Sequence, residues 1–355
     1  MKVLICSHVD PYYSGFYIHG LEKLFGKKNI SYTVKGFEDI LPYVWNVYLT
    51  FRIIDNDGST TKYVIDSNDY CTIKKEMYDW CDVYGHCNAN YSIYSKEDYP
   101  KLVVLCPSFG VRCWNLAETI YRCITNICKL RFHVPSIKKY IWRYYKQYRR
   151  RTYSDYTIKS AHTYIHTYIH TYIYCCNTLW YNTGNVNNDT GVNYVRTLFI
   201  DACKEIPDVC FEGGLVPTKR SQKQSDKFTK YLTRSVSAKE YLEKIQQSKL
   251  VFNTPAFWDC HGWKLGEYMA LGKCIISTPI SNELPTPIEY SDKTDKAWMS
   301  EYFYIVDKNK QSMKDAIEYL KNNSQHREMM ESRVAKYWEN NGTPIASLKR
   351  LGIKC

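Results

Sequence analysis

The sequence predicts an α/β protein built as two halves, each a sheet of mainly parallel strands wrapped by helices, facing each other across a cleft. Three observations carry this. Short, continuously apolar runs such as "KVLICS", "KLVFNTP" and "GKCIISTP" recur, as strands buried on both faces do. Helix-length segments with apolar residues on one face lie between them. The alternation runs through the chain twice, and 355 residues with 45% apolar content suffice for about two cores.

The elements follow in order. "KVLICS" is a first buried strand, and "SGFYIHGLEKLFG" a helix with Phe16, Leu21, Leu24 and Phe25 on one side and Gly26 at its end. "SYTVKGF" is a second strand. "YLTFRII" and "TKYVID" flank "DNDGST", where Asp57-Gly58 is a hairpin turn. "SNDYCTIKKEMYDW" reads as a capped helix, "CDVYGHC" and "KLVVLCPSFG" as strands, and "NLAETIYRCITNICKL" as the helix closing this half. In the second half, strand "IYCCNTLW" and the polar loop "YNTGNVNNDTG" precede helix "VNYVRTLFIDACKEI". "PDVCFEGG" is a strand, and Ser237 with Glu240 forms a capping box opening "AKEYLEKIQQS". Strands "KLVFNTP", "GKCIISTP" and "YFYIVD" and helices "QSMKDAIEYLKNN" and "HREMMESRVAKYWENN" complete it. The expected division is 1–160, with a basic segment and linker at 136–171, then 172–341, with 342–355 as a tail placed to pack back on the first half. Two such units are Rossmann-like domains facing across a cleft.

Composition narrows the partners. The formal charge of +12, with 34 tyrosines, attracts nucleotide phosphates, nucleic acid or an anionic membrane face. The segment "SIKKYIWRYYKQYRRR" (136–151) interleaves Lys and Arg with aromatics and carries no acid. It reads as a solvated helix or linker, as a membrane-surface helix, or, least favoured, as a nucleic-acid stripe. No apolar run reaches the roughly 20 residues that span a bilayer. The N-terminus turns polar too soon for a secretory signal, so a cytoplasmic protein is expected. The 15 cysteines sit singly in apolar runs or helices without regular spacing, which predicts reduced thiols and neither a disulfide framework nor a metal knuckle.

Between the halves, "AHTYIHTYIHTYIYCC" repeats a four-residue unit. In a helix His162, His166 and His170 would share one face and could bind a metal, but Thr, Tyr and Ile favour strands and no carboxylate or cysteine joins them. A low-complexity expansion in the linker is preferred, and no metal site is expected.

Neither G-x-G-x-x-G after a first strand, nor G-x-x-x-x-G-K-[ST], nor G-x-S-x-G occurs, which removes most of the claim of dehydrogenases, P-loop NTPases and serine hydrolases. What remains is "DCHGWKLGEYMALGKCIIS" (Asp259 to Ser277), at the carboxyl end of a parallel strand, where such sheets bind ligands. A helix starting near Trp263 offers free N–H groups to an anion, Gly262 admits close approach, and Lys264 adds charge. Glu267, one turn on, can accept two ribose hydroxyls, or it can be a buried acid satisfied by a neighbouring Lys or backbone.

The stretch D-C-H-G-W-K-L-G-E-Y-M-A-L-G-K-C-I-I resembles the nucleotide-sugar signature of two-Rossmann (GT-B) glycosyltransferases with an E-x7-E motif, roughly E-G-F-G-x-x-x-x-E-A-M-A-x-G-x-P-V. Gly262, Glu267, Met269, Ala270 and Gly272 fall on matching positions; Asp259 stands at the first glutamate, Cys260 at a glycine and His261 at an aromatic. The resemblance is strong over Leu250 to Pro279, looser from Tyr172 to Asn341, and architectural in the first half. It implies that Glu267 binds the ribose, Gly262 sits against diphosphate or sugar, and Arg196 faces the same pocket. Asn282 or Glu283, in the loop after "CIISTP", also falls near that pocket.

The implied activity is transfer of a hexosyl group from a nucleoside-diphosphate sugar to an acceptor hydroxyl, without metal or other cofactor, in polysaccharide or glycolipid synthesis. Lys264, Arg196 and a helix dipole would stabilise the leaving diphosphate. The acceptor, a sugar or lipid-linked sugar, would bind the first half, with Asp69 or His86 as candidate bases and Asp259 as the shortened carboxylate of the motif. The basic tract would suit a peripheral position on the inner membrane face. Two rival readings stay open, a basic tyrosine-rich nucleic-acid-binding protein and an inactive GT-B relic.

Overall fold

The computed structural model describes residues 1–131, 134, 136–157, 171–180, 191–291 and 296–354. The first half comprises β1 (Lys2–Cys6), α1 (Pro11–Phe25), β2 (Ile30–Thr33), α2 (Leu41–Val44), β3 (Tyr48–Ile54) and β4 (Thr60–Asp66). It continues with α3 (Lys75–Trp80), β5 (Val83–His86), β6 (Leu102–Val104), α4 (Leu116–Lys129) and α5 (Ile137–Tyr148). The second half comprises β7 (Thr171–Thr178), α6 (Val192–Glu205), β8 (Val209–Val216), α7 (Ala238–Gln247), β9 (Leu250–Asn253) and α8 (Trp263–Ala270). It closes with β10 (Cys274–Ser277), β11 (Phe303–Ile305), α9 (Lys310–Asn322), α10 (Ser324–Tyr337) and α11 (Pro344–Arg350). These make two α/β units, one on the order β2-β1-β3-β4-β5-β6 and the other on β11-β10-β9-β7-β8.

The second sheet is parallel throughout. Its inner strands β7, β9 and β10 are buried on both sides, as their apolar runs require, whereas the edge strand β8 exposes Cys210 and Glu212. Alternate residues of β7 show the two faces: Ile173 and Cys175 join Phe199 of α6 and Ile317 of α9, whereas Tyr172, Tyr174 and Cys176 face the core shared with α7 and α8. From β7 the chain passes through α6 to β8 on one side and then through α7 to β9 on the other, so the switch point falls between β7 and β9.

The first sheet departs from the simple expectation, because β3 runs antiparallel to both β1 and β4. The cause is the tight Asp57-Gly58 turn, too short for a crossover: Asp57 Oδ1 accepts Ser59 N at 2.9 Å and Gly58 adopts φ 86°. A second departure follows β4. The helix read over "SNDYCTIKKEMYDW" covers only Lys75–Trp80. The buried carboxylate of Asp66 pins the preceding chain by accepting Asn68 N at 2.8 Å, so Asp69 lies in a loop and caps no helix. The box at Ser237 is half made, since Ser237 accepts Glu240 N at 3.1 Å while Glu240 turns its carboxylate to Arg234.

Side-chain caps open several of the helices. Asp10 accepts Tyr12 N at 3.0 Å and Pro11 follows at the first turn of α1; Asn115 and Glu118 form a reciprocal box on α4. The basic segment is a helix seated on the first half. Tyr140 donates to the Ser7 carbonyl at 2.7 Å and Asn126 of α4 donates to Tyr144 at 2.9 Å. The His162, His166 and His170 repeat and the loop at 181–190 lie outside the described residues.

The halves share one core. Phe16 and Phe109 from the first meet Trp338 from the second, with ring centroids 5.2–6.1 Å apart. After α10 a π-helical turn at Trp338–Gly342 redirects the chain, and α11 packs on α1. The approach is close: a Cβ at Gly20 would stand 2.8 Å from the Pro344 carbonyl oxygen.

Candidate functional site

A cavity of about 700 Å³ lies between the halves. Its floor is the switch point of the second sheet, where Asn177 and Thr178 end β7 and Asn253 and Thr254 end β9. The first half contributes Tyr12 and Tyr13 from the start of α1, Asp69 and Tyr70 from the loop after β4, and Arg150 from just beyond α5. The second half contributes Arg196 of α6, Arg220 and the segments from Ala256 to Trp258 and from Cys260 to Lys264. Four cations, Arg150, Arg196, Arg220 and Lys264, thus line a space whose wall carries a single carboxylate, Asp69.

Arg196 is the most telling of them. It is 6% exposed, its Nη1 donates to the Thr178 carbonyl at 2.9 Å, and its Nε has no hydrogen-bond partner. Burial pushes its pKa down to about 10, and no carboxylate among the described residues pairs with it. A guanidinium held this way is costly unless an anion compensates it.

Lys264 occupies the first turn of α8, whose N-terminus is uncapped by any side chain at Gly262. A Cβ on Gly262 would meet nothing within 4 Å, so the helix start opens directly onto the cavity. The Lys264 ammonium donates to the Cys176 carbonyl, and to the Tyr241 hydroxyl at 3.4 Å, lying 4.5 Å from that ring's centroid. Tyr241 in turn donates to Glu267 Oε2 at 3.0 Å. Burial lowers the pKa of Lys264 and raises that of Glu267, and each charge opposes the other's shift. Glu267 stands one turn behind the cavity wall as the acid of this buried cluster.

Arg150 enters from the opposite side. Its guanidinium donates to the Tyr12 hydroxyl and lies 4.5 Å from the Tyr12 ring and 4.8 Å from the Trp263 ring. The basic segment thus places one of its cations inside the cleft. Asp69 sits beside Cys260, and loss of water at the cavity wall raises its carboxyl pKa, partly offset by that thiol.

The other predicted residues lie elsewhere. His86 is fully buried at the end of β5, with Nδ1 accepting Asn88 N at 3.1 Å and Nε2 3.9 Å from Asp66. Trp258 and Asp259 both adopt left-handed backbone (φ 60° and 55°), which turns Asp259 to the surface and brings Trp258 over Tyr70 of the first half at 5.1 Å. Asn282 and Glu283 bind the halves together rather than lining the cavity. Asn90 donates to Asn282 Oδ1 at 3.3 Å, Asn282 donates to the Asp259 carbonyl at 3.1 Å, and Glu283 N donates to the Ala89 carbonyl at 2.8 Å. His261 completes this latch: its N–H donates to Asn88 Oδ1 at 2.7 Å, and Nε2, 3.0 Å from the Glu283 carbonyl, must carry the proton. Burial holds its pKa near 4, so it is neutral.

Of the predicted set, therefore, the structure brings Asp69, Arg196, Gly262 and Lys264 onto one cavity, with Glu267 behind it. Sequence reasoning missed Arg150, Arg220, Tyr241 and Trp263. Only Arg150, in a run without acids, had a signal at all.

No family model matches the chain, and no curated protein matches it. Among solved structures it is similar to the C-terminal domain of a group 1 glycosyl transferase family protein from Francisella tularensis, at 13% identity and TM-score 0.37 over 53% of this chain and 96% of that one. It is also similar to a glycosyltransferase from Rickettsia africae (12% identity, TM-score 0.41, 79% of this chain, 66% of that). A third is the UDP-GlcNAc 2-epimerase from Neisseria meningitidis bound to UDP-GlcNAc (12%, TM-score 0.39, 78% of this chain, 61% of that). These likenesses are distant, and the reading of the cavity rests on its own residues.

Proposed function

We propose that the chain is a glycosyltransferase that moves a hexosyl group from a nucleoside-diphosphate sugar to an acceptor hydroxyl, in polysaccharide or glycolipid synthesis. The observation that carries this reading is the buried, uncompensated Arg196 in a cleft with three further cations and one carboxylate. Such a site favours a compact polyanion, and about 700 Å³ suits a nucleotide-sized ligand. The diphosphate lies against the open start of α8 at Gly262, between Arg196 and Lys264. These charges stabilise the departing diphosphate, the task a divalent metal performs elsewhere, so our reading needs no metal. The ribose role of Glu267 is part of the same proposal, with Tyr241 as its positioning partner.

The acceptor enters from the wall of the first half. Asp69 is the base we favour there, because it lines the cavity and burial raises its pKa, which makes its carboxylate a stronger base. The chain works in the cytoplasm, peripheral on the inner membrane face.

The deciding experiment is thermal stabilisation by, and transfer from, a panel of uridine and guanosine diphosphate sugars, with and without EDTA. The expected result is a nucleotide-dependent rise in Tm and sugar transfer insensitive to EDTA, both lost in Arg196→Met. Binding without transfer would identify a relic, and RNA binding with a steep salt slope in the absence of any nucleotide effect would favour the nucleic-acid reading.

A further inference from the structure

Helices α4 and α5 are amphipathic in an unusual sense. A helix on a domain surface ordinarily turns its apolar stripe inward. On α4 the residues that dock are Thr119, Cys123, Asn126 and Ile127, while Leu116, Ile120, Tyr121 and Ile124 stand outward. On α5 the docking residues are Tyr140, Tyr144 and Gln147, while Ile137, Ile141, Trp142 and Tyr145 stand outward. These eight side chains are 42–62% exposed. Leu116, Ile120 and Ile124 follow one another every four residues, and so do Ile137, Ile141 and Tyr145, so each helix carries a continuous apolar stripe. The Asn126–Tyr144 hydrogen bond fixes the pair as one platform.

The charges around the platform identify what it meets. Between Leu116 and Arg151 the chain has ten Lys and Arg and one acid, Glu118. Glu118 is neutralised by Lys27 at 2.5 Å. Some of the cations are engaged inward, Arg143 with Asp10, Arg150 in the cavity and Arg151 with Asp155. Lys138, Lys139 and Arg149 stand exposed beside the α5 stripe. A second copy of this chain would bring the same cations against one another, whereas an anionic bilayer offers both an apolar interior for the stripe and phosphates for its rim.

We infer that the outward faces of α4 and α5 form a membrane-docking platform for bilayers rich in anionic phospholipid, with Ile120, Ile124 and Trp142 inserting below the headgroups. The inference deepens the peripheral placement proposed above and is independent of the transfer chemistry. It also moves the contact from the Arg149–Arg151 run to two helical faces, because two of those three arginines are turned inward.

The test is flotation of the full chain with vesicles of phosphatidylcholine alone and of phosphatidylcholine with phosphatidylglycerol, with nucleotide binding measured on each variant. The expected result is flotation with the anionic vesicles. The variant Ile120→Ser/Ile124→Ser/Trp142→Ser loses on the order of 100-fold in partitioning. The variant Lys138→Glu/Lys139→Glu/Arg149→Glu loses at least as much, through about fivefold per cation near the surface. Both keep the wild-type Tm and nucleotide affinity, since the altered side chains are exposed. Wild type that stays unbound, or an apolar variant that floats as wild type does, overturns the inference. So does a wild-type dimer in solution that the apolar variant makes monomeric. Loss of nucleotide binding in the wild type would instead overturn the transferase reading alone.

Discussion

Arg196, under the proposed function, lets a single substitution separate binding from stability. A buried guanidinium with an unpartnered Nε and no carboxylate is a standing cost to the unliganded fold. Arg196→Met fills a similar volume without the charge, so its apo Tm should equal or exceed the wild type's while the nucleotide-dependent rise disappears; a differential scanning measurement reads both. Glu267 behaves oppositely. Glu267→Ala strands the buried Lys264 ammonium and should destabilise the protein by about 3 kcal/mol or more, seen by denaturant titration. Glu267→Gln keeps an acceptor for Tyr241 and should recover part of that loss. The stretch around Glu267 stood out in the sequence because Gly262, Glu267 and Gly272 punctuate an apolar run. Tyr241 was not, because it arrives from α7, far along the chain, through packing alone.

At the scale of elements, α8 is held from both sides. Gly266 packs so closely on the first half that a Cβ would stand 2.3 Å from the Pro107 carbonyl oxygen. Alanine gains about 1 kcal/mol of helix propensity over glycine, but the clash with backbone outweighs it. Gly266→Ala should therefore lower stability by about 1–3 kcal/mol and weaken nucleotide binding as α8 shifts. The latch at His261 makes a pH prediction. Its pKa falls from 6.5 to about 4, chiefly through burial, with Lys296 and His86 adding repulsion. The neutral form is the folded one, so its contribution is complete above about pH 6.5 and is lost as the pH falls towards 4, up to about 3 kcal/mol. Asp10 works against it: burial raises its pKa to about 6 despite Arg143, so its part of the stability is lost as pH rises from about 4 to 6. The two nearly cancel in the wild type. Acid titrations of His261→Gln and Asp10→Asn, followed by Tm, should show slopes of opposite sign relative to it. Caps and turns such as Asp57-Gly58 were readable locally. The latch was not, because Asn88, Asn90 and the 280–284 loop are polar loop residues whose meeting depends on how the halves dock.

For the whole molecule, strand and helix alternation revealed two α/β halves, since apolar runs and helix-spaced stripes are local signals. It did not reveal that β3 runs antiparallel in the first sheet, nor the apolar platform of α4 and α5, whose stripe reads in sequence like any core-facing one. The final helix, in the segment 342–355 expected to pack back on the first half, is tied to it by specific contacts. Arg350 Nε donates to the Val104 carbonyl at 3.4 Å, and Leu348 and Leu351, both buried, join the core containing Phe16 and Leu21. Leu348→Ala and Leu351→Ala should each cost about 3 kcal/mol, and hydrogen exchange should locate the loosening in α1 and β5 rather than in the second sheet.

This arrangement has a consequence for synthesis on the ribosome. Chains fold from the N-terminus as they emerge, yet the first half lacks the wall supplied by residues 344–351 until the second half has been translated. Until then the nascent first half presents the bare α1 surface around Gly20 and Leu21, which should be open to a hydrophobic dye on ribosome-bound chains.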